Sequence, residues 1–414
     1  MDIKKIAFIG TGIMGCPMAG HLVDAGYDVT VYNHTPEKAQ PLVEKGATLA
    51  RSAVEAARGA DVVFTMVGFP EQVEELYLAK DGLISAVKNG AYLIDMTTSS
   101  PQLARDIQEL VTVSGVHAFD APVTGGEEGA KAATLTIFCG ADAQTVEPVM
   151  DLLKTMGTLV LTFGRAGQGQ MAKLANQVAL ASSMLGLVEA LTFAKQGGLD
   201  VDKVLAALLT GTAASSAMRA LGPKVLRGDY KPGFMVEHFM KDLNLALSTA
   251  EDEEVTLPAT ETAAQLYSML AEIGGARMGT QALSLVYADE ESCAQAGLDW
   301  SVLNLDEDDE AAEAVEAAIA ECDCGHDHGA HAGHTHAHGD ACDCGCDCDE
   351  CDGDCGCDCD CDKHAGHEHG DACDCGCDHD HGRDAACDGD DDEDDEEETP
   401  ADRLRGFEAP FSQN

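Results

Sequence analysis

The sequence predicts an α/β fold in which a mostly parallel sheet domain is followed by an all-helical domain and a disordered C-terminal tail. Three observations support this prediction. Short apolar runs alternate with amphipathic segments up to about residue 165, long helical patterns replace them after Gly164, and large hydrophobic residues disappear towards the C-terminus. We therefore divide the 414-residue chain into the ranges 1–165, 166–290, 291–320 and 321–414.

Short apolar runs bounded by turn residues predict the strands of the first range. Helical patterns such as Pro36–Lys45 and Pro101–Val111 separate several of them, which is typical of βαβ units. The predicted strands are Ile6–Gly10, Asp28–Asn33, Val62–Val67, Ala91–Thr97, His117–Val123, Thr134–Gly140 and Leu159–Gly164. A mostly parallel sheet follows from this alternation.

Long helical patterns dominate the second range. They cover Gln168–Lys195, Val201–Leu209, Phe234–Ala250 and Ala259–Ile273. The first spans 28 residues, which exceeds the usual length of a globular helix, so we expect it to join the two domains as a spine.

Charge is spread unevenly along the chain. The range 301–414 holds 38 acidic and 4 basic residues and so carries −34 of the net −49. This acidity argues against a nucleic-acid partner, because phosphate binding depends on lysine and arginine. The apolar runs are too short for a signal peptide or a membrane span. We therefore expect a cytoplasmic protein without a membrane partner.

The C-terminal range lacks large hydrophobic residues over most of its length and contains many potential metal ligands. Between Glu321 and Pro400 no Val, Ile, Leu, Met, Phe, Tyr or Trp occurs, which predicts disorder, and a short helix is possible only at Glu310–Glu321. Cysteine thiolates together with histidine imidazoles favour zinc or another thiophilic metal, and the interleaved aspartates add oxygen ligands. The candidate ligands are Cys342, Cys344, Cys346, Cys348, Cys373, Cys375, Cys377, His334, His336, His338, His367 and His369. The alternative is an acidic solubilising tail with incidental ligands.

A glycine-rich turn between the first strand and the first helical pattern predicts a dinucleotide site of the Rossmann type. Gly10, Gly12 and Gly15 have the spacing that permits a tight turn, close approach of a pyrophosphate and helix–strand packing. Thr11, Ile13 and Met14 complete this turn. The phosphates would then meet the N–H groups at the start of the helix.

The end of the second strand bears on the choice of nicotinamide cofactor. Asn33, His34 and Thr35 stand there, and no acid occurs before Glu37. An acid at this point would bind the ribose 2′-hydroxyl of NAD. Its absence favours NADP(H), with NAD(H) possible.

Two polar features indicate a reacting site. Thr124, Gly125 and Gly126 look like a turn whose N–H groups could hold an anion, and the alternative is a plain turn. Lys173, Asn176 and Gln177 share one face of the long helix. They look like a polar cluster aimed at a cleft, and the alternative is a lysine that extends to solvent at a domain boundary.

Over residues 3–290 the chain resembles the β-hydroxyacid dehydrogenase family, which includes 3-hydroxyisobutyrate dehydrogenase and 2-hydroxy-3-oxopropionate reductase. The likeness is carried by GTGIMGCPMA, DMTTSSP, DAPVTGG, GQGQMAKLANQ and KPGFMVEHFMKDLNLAL, in the order and spacing of the family. A relative of the 6-phosphogluconate dehydrogenase type is disfavoured by the short helical domain. The resemblance implies an NAD(P)-dependent oxidoreductase, a small carboxylate substrate and a homo-oligomer.

The resemblance also assigns roles to residues of this chain. It implies that Lys173 is catalytic with Asn176, and that Thr124, Gly125, Gly126 and Gln177 bind substrate. Met66 and Val67 would lie beside the adenosine, Thr98 and Lys241 at the nicotinamide end, and Phe234 and Asp242 would close the cleft. Three departures from the family pattern are Thr124 for serine, Gln177 for asparagine and His34 for arginine.

Lysine chemistry explains the expected reaction. As hydride reaches a carbonyl carbon, a lysine ammonium can stabilise the oxygen and donate its proton, and neutral lysine can act as base in the reverse direction. Burial would lower the pKa of Lys173 towards working pH. A second hypothesis is a metal-storage or metal-sensing protein that uses the enzyme body as a scaffold.

Overall fold

The computed structural model describes residues 3–302 of the chain. The helix predicted at Glu310–Glu321, the disorder predicted for 321–414 and all the Cys and His ligands predicted there lie outside the described residues. Within residues 3–302 no group of three or more His, Cys, Asp or Glu side chains is placed to hold a metal ion.

The first domain is built on a six-stranded, fully parallel sheet. Its strands are β1 (Lys5–Ile9), β2 (Asp28–Tyr32), β3 (Thr48–Leu49), β4 (Val62–Thr65), β5 (Tyr92–Asp95) and β6 (His117–Asp120). Their order is β3-β2-β1-β4-β5-β6, so the chain reverses direction across the sheet beside β1 and β4. All residues of β4 and β5 are buried, as expected for a sheet covered by helices on both faces.

A second, three-stranded sheet holds β7 (Val123–Thr124), β8 (Leu135–Cys139) and β9 (Gly157–Thr162). The prediction of one strand over His117–Val123 was wrong, because β6 ends at Asp120 and β7 pairs antiparallel with β8. Pro122 stands between β6 and β7 and has no N–H to donate to a ladder. Its carbonyl instead accepts a hydrogen bond from Phe138 of β8.

Short helices cover the strands of the first domain. They are α1 (Gly15–Asp24), α2 (Gln40–Glu44), α3 (Ala53–Ala57), α4 (Pro70–Leu78), α5 (Leu83–Ala86), α6 (Pro101–Thr112), α7 (Gly126–Lys131), α8 (Ala143–Val146) and α9 (Met150–Met156). A 3-10 turn at Pro36–Ala39 precedes α2. One apolar core packs around Phe8 and Phe64, and another packs around Tyr77 and Leu93 on the opposite face of the sheet.

The second domain is helical and is organised around one long helix. Its helices are α10 (Gln168–Gln196), α11 (Val201–Leu208), α12 (Ser216–Leu226), α13 (Val236–Asp252), α14 (Pro258–Leu270) and α15 (Glu290–Gln295). Among the described helices α10 alone is long and apolar enough to cross a membrane, judged by length and composition. It packs against α11, α12, α13 and α14, and its first turns reach β8. This packing makes α10 the spine that joins the domains.

The helical core continues past the predicted boundary at residue 290. Cys293 of α15 and Leu298 are buried in the same cluster as Phe239 and Tyr267. The sequence reading also missed α12, because Gly222 and Pro223 stand inside it and suggest a break. A Cβ on Gly222 would lie 2.8 Å from Leu205 Cδ1, so the glycine allows α12 to pack closely on α11.

Candidate active site

The glycine-rich turn follows β1 and is shaped by backbone contacts. Gly10 has φ +93°, and its N–H donates to the carbonyl of Tyr32 at 2.8 Å. A Cβ on Gly10 would clash with the carbonyl oxygen of Met66, and one on Gly15 would clash with that of Gly10. The first and third glycines of the predicted fingerprint are therefore required by packing.

The face of this turn in front of α1 can accept a phosphate group. A Cβ on Gly12 would meet no atom within 4 Å, so the space above the second glycine is open. The Thr11 hydroxyl is buried without a hydrogen-bond partner, and Ile13 is 43% exposed at the rim. Met14 stands at the N-cap position of α1. An open cradle, an unpaired hydroxyl and a helix N-terminus fit the pyrophosphate of a dinucleotide.

Asn33 holds the turn from the end of β2. Its Oδ1 accepts from the Thr11 N–H at 2.9 Å, and its Nδ2 donates to the carbonyl of Thr35 at 2.8 Å. Both polar atoms of the amide are thus used within the protein, so Asn33 acts here by bracing the loop. His34 and Thr35 are exposed beside it.

The loops after β4 and β5 are tied together by threonine and aspartate side chains. The half-buried Met66 and Val67 follow β4, and the Val67 N–H donates to Thr97 Oγ1 at 3.0 Å. Asp95 accepts from the Thr97 N–H at 3.1 Å and from the Thr65 hydroxyl at 2.7 Å. Burial raises the pKa of Asp95 to about 6.

Gln170 connects the first turn of α10 to the loop after β5, a role that the sequence reading missed. Its Oε1 accepts from the Ser99 N–H at 3.0 Å, and its Nε2 donates to the carbonyl of Thr97 at 2.7 Å. The side chain is fully buried. The sequence offers only one signal for this role, a polar residue on an apolar helix. The partners of Gln170 lie 71 and 73 residues away in the chain, so they could not be predicted.

Lys173 lies one turn further along α10 and is 7% exposed. Its Nζ donates to Gln177 Oε1 at 3.1 Å, and Asn176 Nδ2 donates to the same oxygen at 2.8 Å. Burial lowers the pKa of Lys173 to about 8; the Asp242 carboxylate opposes this shift and the Lys241 ammonium adds to it. At neutral pH the amine can therefore both donate and accept a proton.

A chain of polar contacts leads from Lys173 to the first domain. Gln177 Nε2 donates to Asp242 Oδ2 at 2.5 Å, and Lys241 Nζ lies 2.9 Å from Asp242 Oδ1. Lys241 Nζ also donates to the carbonyl of Thr98 at 2.5 Å. The structure therefore uses Gln177, predicted to bind substrate, and Lys241, predicted at the nicotinamide, as contacts within the protein.

The remaining predicted residues lie on β7, in the turn that follows it and in the segment before α13. Thr124 ends β7 and is half-buried, while Gly125 and Gly126 are exposed with φ +131° and +62°. β8 connects them to α10, because Gly169 at the start of that helix lies directly against the Phe138 carbonyl. Phe234 precedes α13 and packs on Phe239 with ring centroids 5.5 Å apart.

A phosphate cradle at the carboxyl edge of a parallel sheet, with a buried lysine of lowered pKa on the adjoining helical domain, defines a dinucleotide-dependent oxidoreductase. Residues 5–164 match the family model described as the NAD binding domain of 6-phosphogluconate dehydrogenase. Residues 167–287 match the model described as NAD-binding of NADP-dependent 3-hydroxyisobutyrate dehydrogenase. The chain belongs to the β-hydroxyacid dehydrogenase family and is an NAD(P)-dependent 3-hydroxyacid dehydrogenase.

Individual relatives support this assignment. The chain is 46% identical to a probable 3-hydroxyisobutyrate dehydrogenase-like 1 protein of Arabidopsis thaliana, over 68% of this chain and 84% of the relative. It is 36% identical to the 2-hydroxy-3-oxopropionate reductase of Escherichia coli, over 67% and 95%. A structure of Mycobacterium tuberculosis 3-hydroxyisobutyrate dehydrogenase with L-serine is 32% identical, has a TM-score of 0.64, and covers 69% of this chain and all of its own.

Proposed function

We propose that the protein interconverts a short 3-hydroxyacid and its semialdehyde, with Lys173 as general acid and base and with NADP(H) as the preferred cofactor. The single observation that carries the proposal is the buried amine of Lys173, whose pKa is lowered to about 8, in a chain that also forms an open dinucleotide cradle at Gly12. A group that titrates near working pH can transfer a proton in both directions of a reversible reaction.

In this proposal Lys173 transfers the proton and Gln177 positions its amine. The nicotinamide ring, when bound, supplies or accepts the hydride. In reduction the Lys173 ammonium stabilises the negative charge on the substrate oxygen and donates a proton to it. In oxidation neutral Lys173 removes the hydroxyl proton, while Gln177 holds the amine in place through its 3.1 Å contact.

The predicted substrate contacts suit a small carboxylate. The Thr124 hydroxyl and the Gly125 and Gly126 amides are suitable donors for its oxygens, and Asn176 lies beside Lys173 on the same helix. The relatives suggest 2-hydroxy-3-oxopropionate and the semialdehyde of 3-hydroxyisobutyrate as first candidates. A Pseudomonas aeruginosa relative that is 38% identical is named NAD-dependent L-serine dehydrogenase, and L-serine is itself a 3-hydroxyacid.

The preference for NADP(H) rests on the end of β2. Asn33 is occupied by Thr11 and Thr35, and the exposed His34 and Thr35 provide no carboxylate to bind a ribose 2′-hydroxyl. A neutral or cationic histidine is compatible with a 2′-phosphate, whereas an acid would repel it.

The direct test is turnover by the full-length protein. NADPH and NADH consumption would be measured with 2-hydroxy-3-oxopropionate, methylmalonate semialdehyde, succinic semialdehyde and glyoxylate, and L-serine would be tested in the oxidative direction. Lys173→Ala should reduce kcat by about 10²–10⁴-fold. Lys203→Ala, which removes a lysine from the surface of α11, is the matched control and should retain full activity. Turnover that survives in Lys173→Ala would contradict the proposal.

A further inference from the structure

Asp120 connects the end of β6 to the start of α10. It is the last residue of β6, stands four positions before Thr124, and is 1% exposed. Its Oδ1 accepts from the Gly167 N–H and its Oδ2 from the Gln170 N–H, both at 2.7 Å. Gly167 and Gln170 belong to the start of α10, the helix that carries Lys173.

α10 has no N-terminal cap of its own. Its N-cap residue is Gly167, at φ +84°, which has no side chain to satisfy the first N–H groups, and the first turn contains no acid. By contrast, α11 is capped by its own Asp200, which accepts from the Lys203 N–H at 3.2 Å. The carboxylate of Asp120 therefore replaces a local cap for this 29-residue helix.

The surrounding backbone is shaped to admit that carboxylate. A Cβ on Gly140 would clash with Asp120 Oδ1, and one on Gly169 would lie 2.8 Å from Oδ2. A side chain at Gly167 is also excluded, because its Cβ would lie 2.6 Å from the carbonyl oxygen of Pro101. Glycine at positions 140 and 169 therefore leaves room for the Asp120 carboxylate at the start of α10.

The contacts of Asp120 also explain how a buried carboxylate is tolerated. Burial raises its pKa, and the N–H groups of Gly167 and Gln170 counteract that effect. The positive end of the α10 dipole favours a negative charge at the same place. Since the Gln170 side chain is simultaneously bonded to the Thr97 carbonyl, the first turn of α10 is held from two sides.

We propose that Asp120 is a positioning residue for the hydride-transfer reaction: it fixes the register of α10, and hence the place of Lys173, relative to the strand that leads to Thr124. This inference rests on the proposed function. Lys173 follows Gln170 by three residues, so a displacement of the first turn moves the amine directly. A misplacement of about 1 Å is enough to slow a reaction by roughly 100-fold.

Asp120→Asn in the full-length protein tests the proposal. The amide keeps one acceptor but turns an N–H₂ group towards one of the two donors. With 2-hydroxy-3-oxopropionate and NADPH deuterated at the transferred position, kcat should fall by about 10–100-fold, KM for the aldehyde should rise, and the isotope effect should increase. Rates are normalised to the molecules that bind NADPH. Asp200→Asn, the same substitution at the local N-cap of α11, is the matched control and should change kcat by less than about 2-fold.

Two outcomes would overturn the proposal. Activity that falls only with the folded fraction, at unchanged KM and isotope effect, would make Asp120 a purely structural residue. Hydrogen exchange gives a readout independent of turnover: amides of residues 167–173 should exchange faster in Asp120→Asn, and in Asp120→Ser if the first variant folds poorly. Unchanged exchange there would contradict the capping role. A wild-type protein that reduces none of the aldehydes would instead count against the proposed function.

Discussion

The proposed site has a nucleotide end, at Gly10 and Gly15, and a lysine end, at Lys173, and the two are built in different ways. At the nucleotide end, Gly10 and Gly15 have no side chains, which allows backbone to touch backbone. At the lysine end, buried polar side chains of α10 and α13 are hydrogen-bonded in series, from Lys173 through Gln177 to Asp242. The nucleotide end depends on glycines that lack a side chain, and the lysine end depends on hydrogen bonds between buried polar side chains.

This difference determines how each end responds to change. A methyl group added at Gly10 or Gly15 meets backbone that cannot move away, so the effect is steric and severe. At the lysine end, a changed charge alters the pKa of Lys173, because burial, Asp242 and Lys241 together set it. Substitutions there should produce graded effects that depend on pH.

The largest effect is expected for Gly15→Ala. Its Cβ would clash with the Gly10 carbonyl oxygen and lie 3.1 Å from the Phe8 ring, so the turn must open. We expect destabilisation of about 1–3 kcal/mol and loss of detectable NADPH binding. Thermal unfolding and fluorescence titration with NADPH measure both effects. Gly186→Ala, in an open position on α10, is the control and should bind NADPH normally.

Gly12→Ala separates the effect on folding from the effect on cofactor binding at the nucleotide end. Its Cβ would enter open space, so the protein should unfold at an almost unchanged temperature. We expect the phosphates to approach through that space, so NADPH affinity should nevertheless fall, by roughly 10-fold or more. Wild-type affinity in this variant would show that the cradle does not receive the nucleotide.

At the lysine end, Asp242→Asn should shift the pH dependence of the reaction. The Asp242 carboxylate raises the pKa of Lys173, so its removal should lower that pKa below about 8. Less ammonium is then present at a given pH, and reduction at slightly alkaline pH should slow by roughly 10-fold. The pH profile of kcat/KM measures this change. Asp252→Asn, an exposed position on α13, serves as the control; equal profiles for both variants would refute the coupling.

The smallest effect concerns His34→Arg. Arginine binds phosphate through two parallel hydrogen bonds, so KM for NADPH should fall by about 3–10-fold relative to KM for NADH. Initial rates with each cofactor give this ratio. Lys38→Arg changes an exposed cation in the same segment without adding charge and should leave the ratio unaltered. A ratio that also stays constant in His34→Arg would place the ribose elsewhere.

Most of the fold could be predicted because its signals are local. Buried strands such as β4 and β5 are continuous apolar runs, and α10 is a long uninterrupted pattern. The two-residue strands β3 and β7 were missed because so short a segment has no periodicity. The split between β6 and β7 depends on Pro122 and on partners elsewhere in the chain.

The candidate site could also be predicted only where its signals are local in the sequence. The turn at Gly10–Gly15 and the face shared by Lys173 and Gln177 follow from spacing in the sequence. The contact of Gln177 with Asp242 spans 65 residues, and that of Lys241 with Thr98 spans 143. The first pair depends on how two helices of one domain pack, and the second on how the two domains meet. Family resemblance therefore named several participants but not their partners.

The pH dependence of both reaction directions tests the role of Lys173 most directly. If its pKa is about 8, kcat/KM for aldehyde reduction should fall as the pH rises through about 8, because the ammonium is lost. For oxidation of the 3-hydroxyacid, kcat/KM should rise through the same pH, because the neutral amine is the base. Profiles without a transition near pH 8, or with the same sign in both directions, would contradict the account.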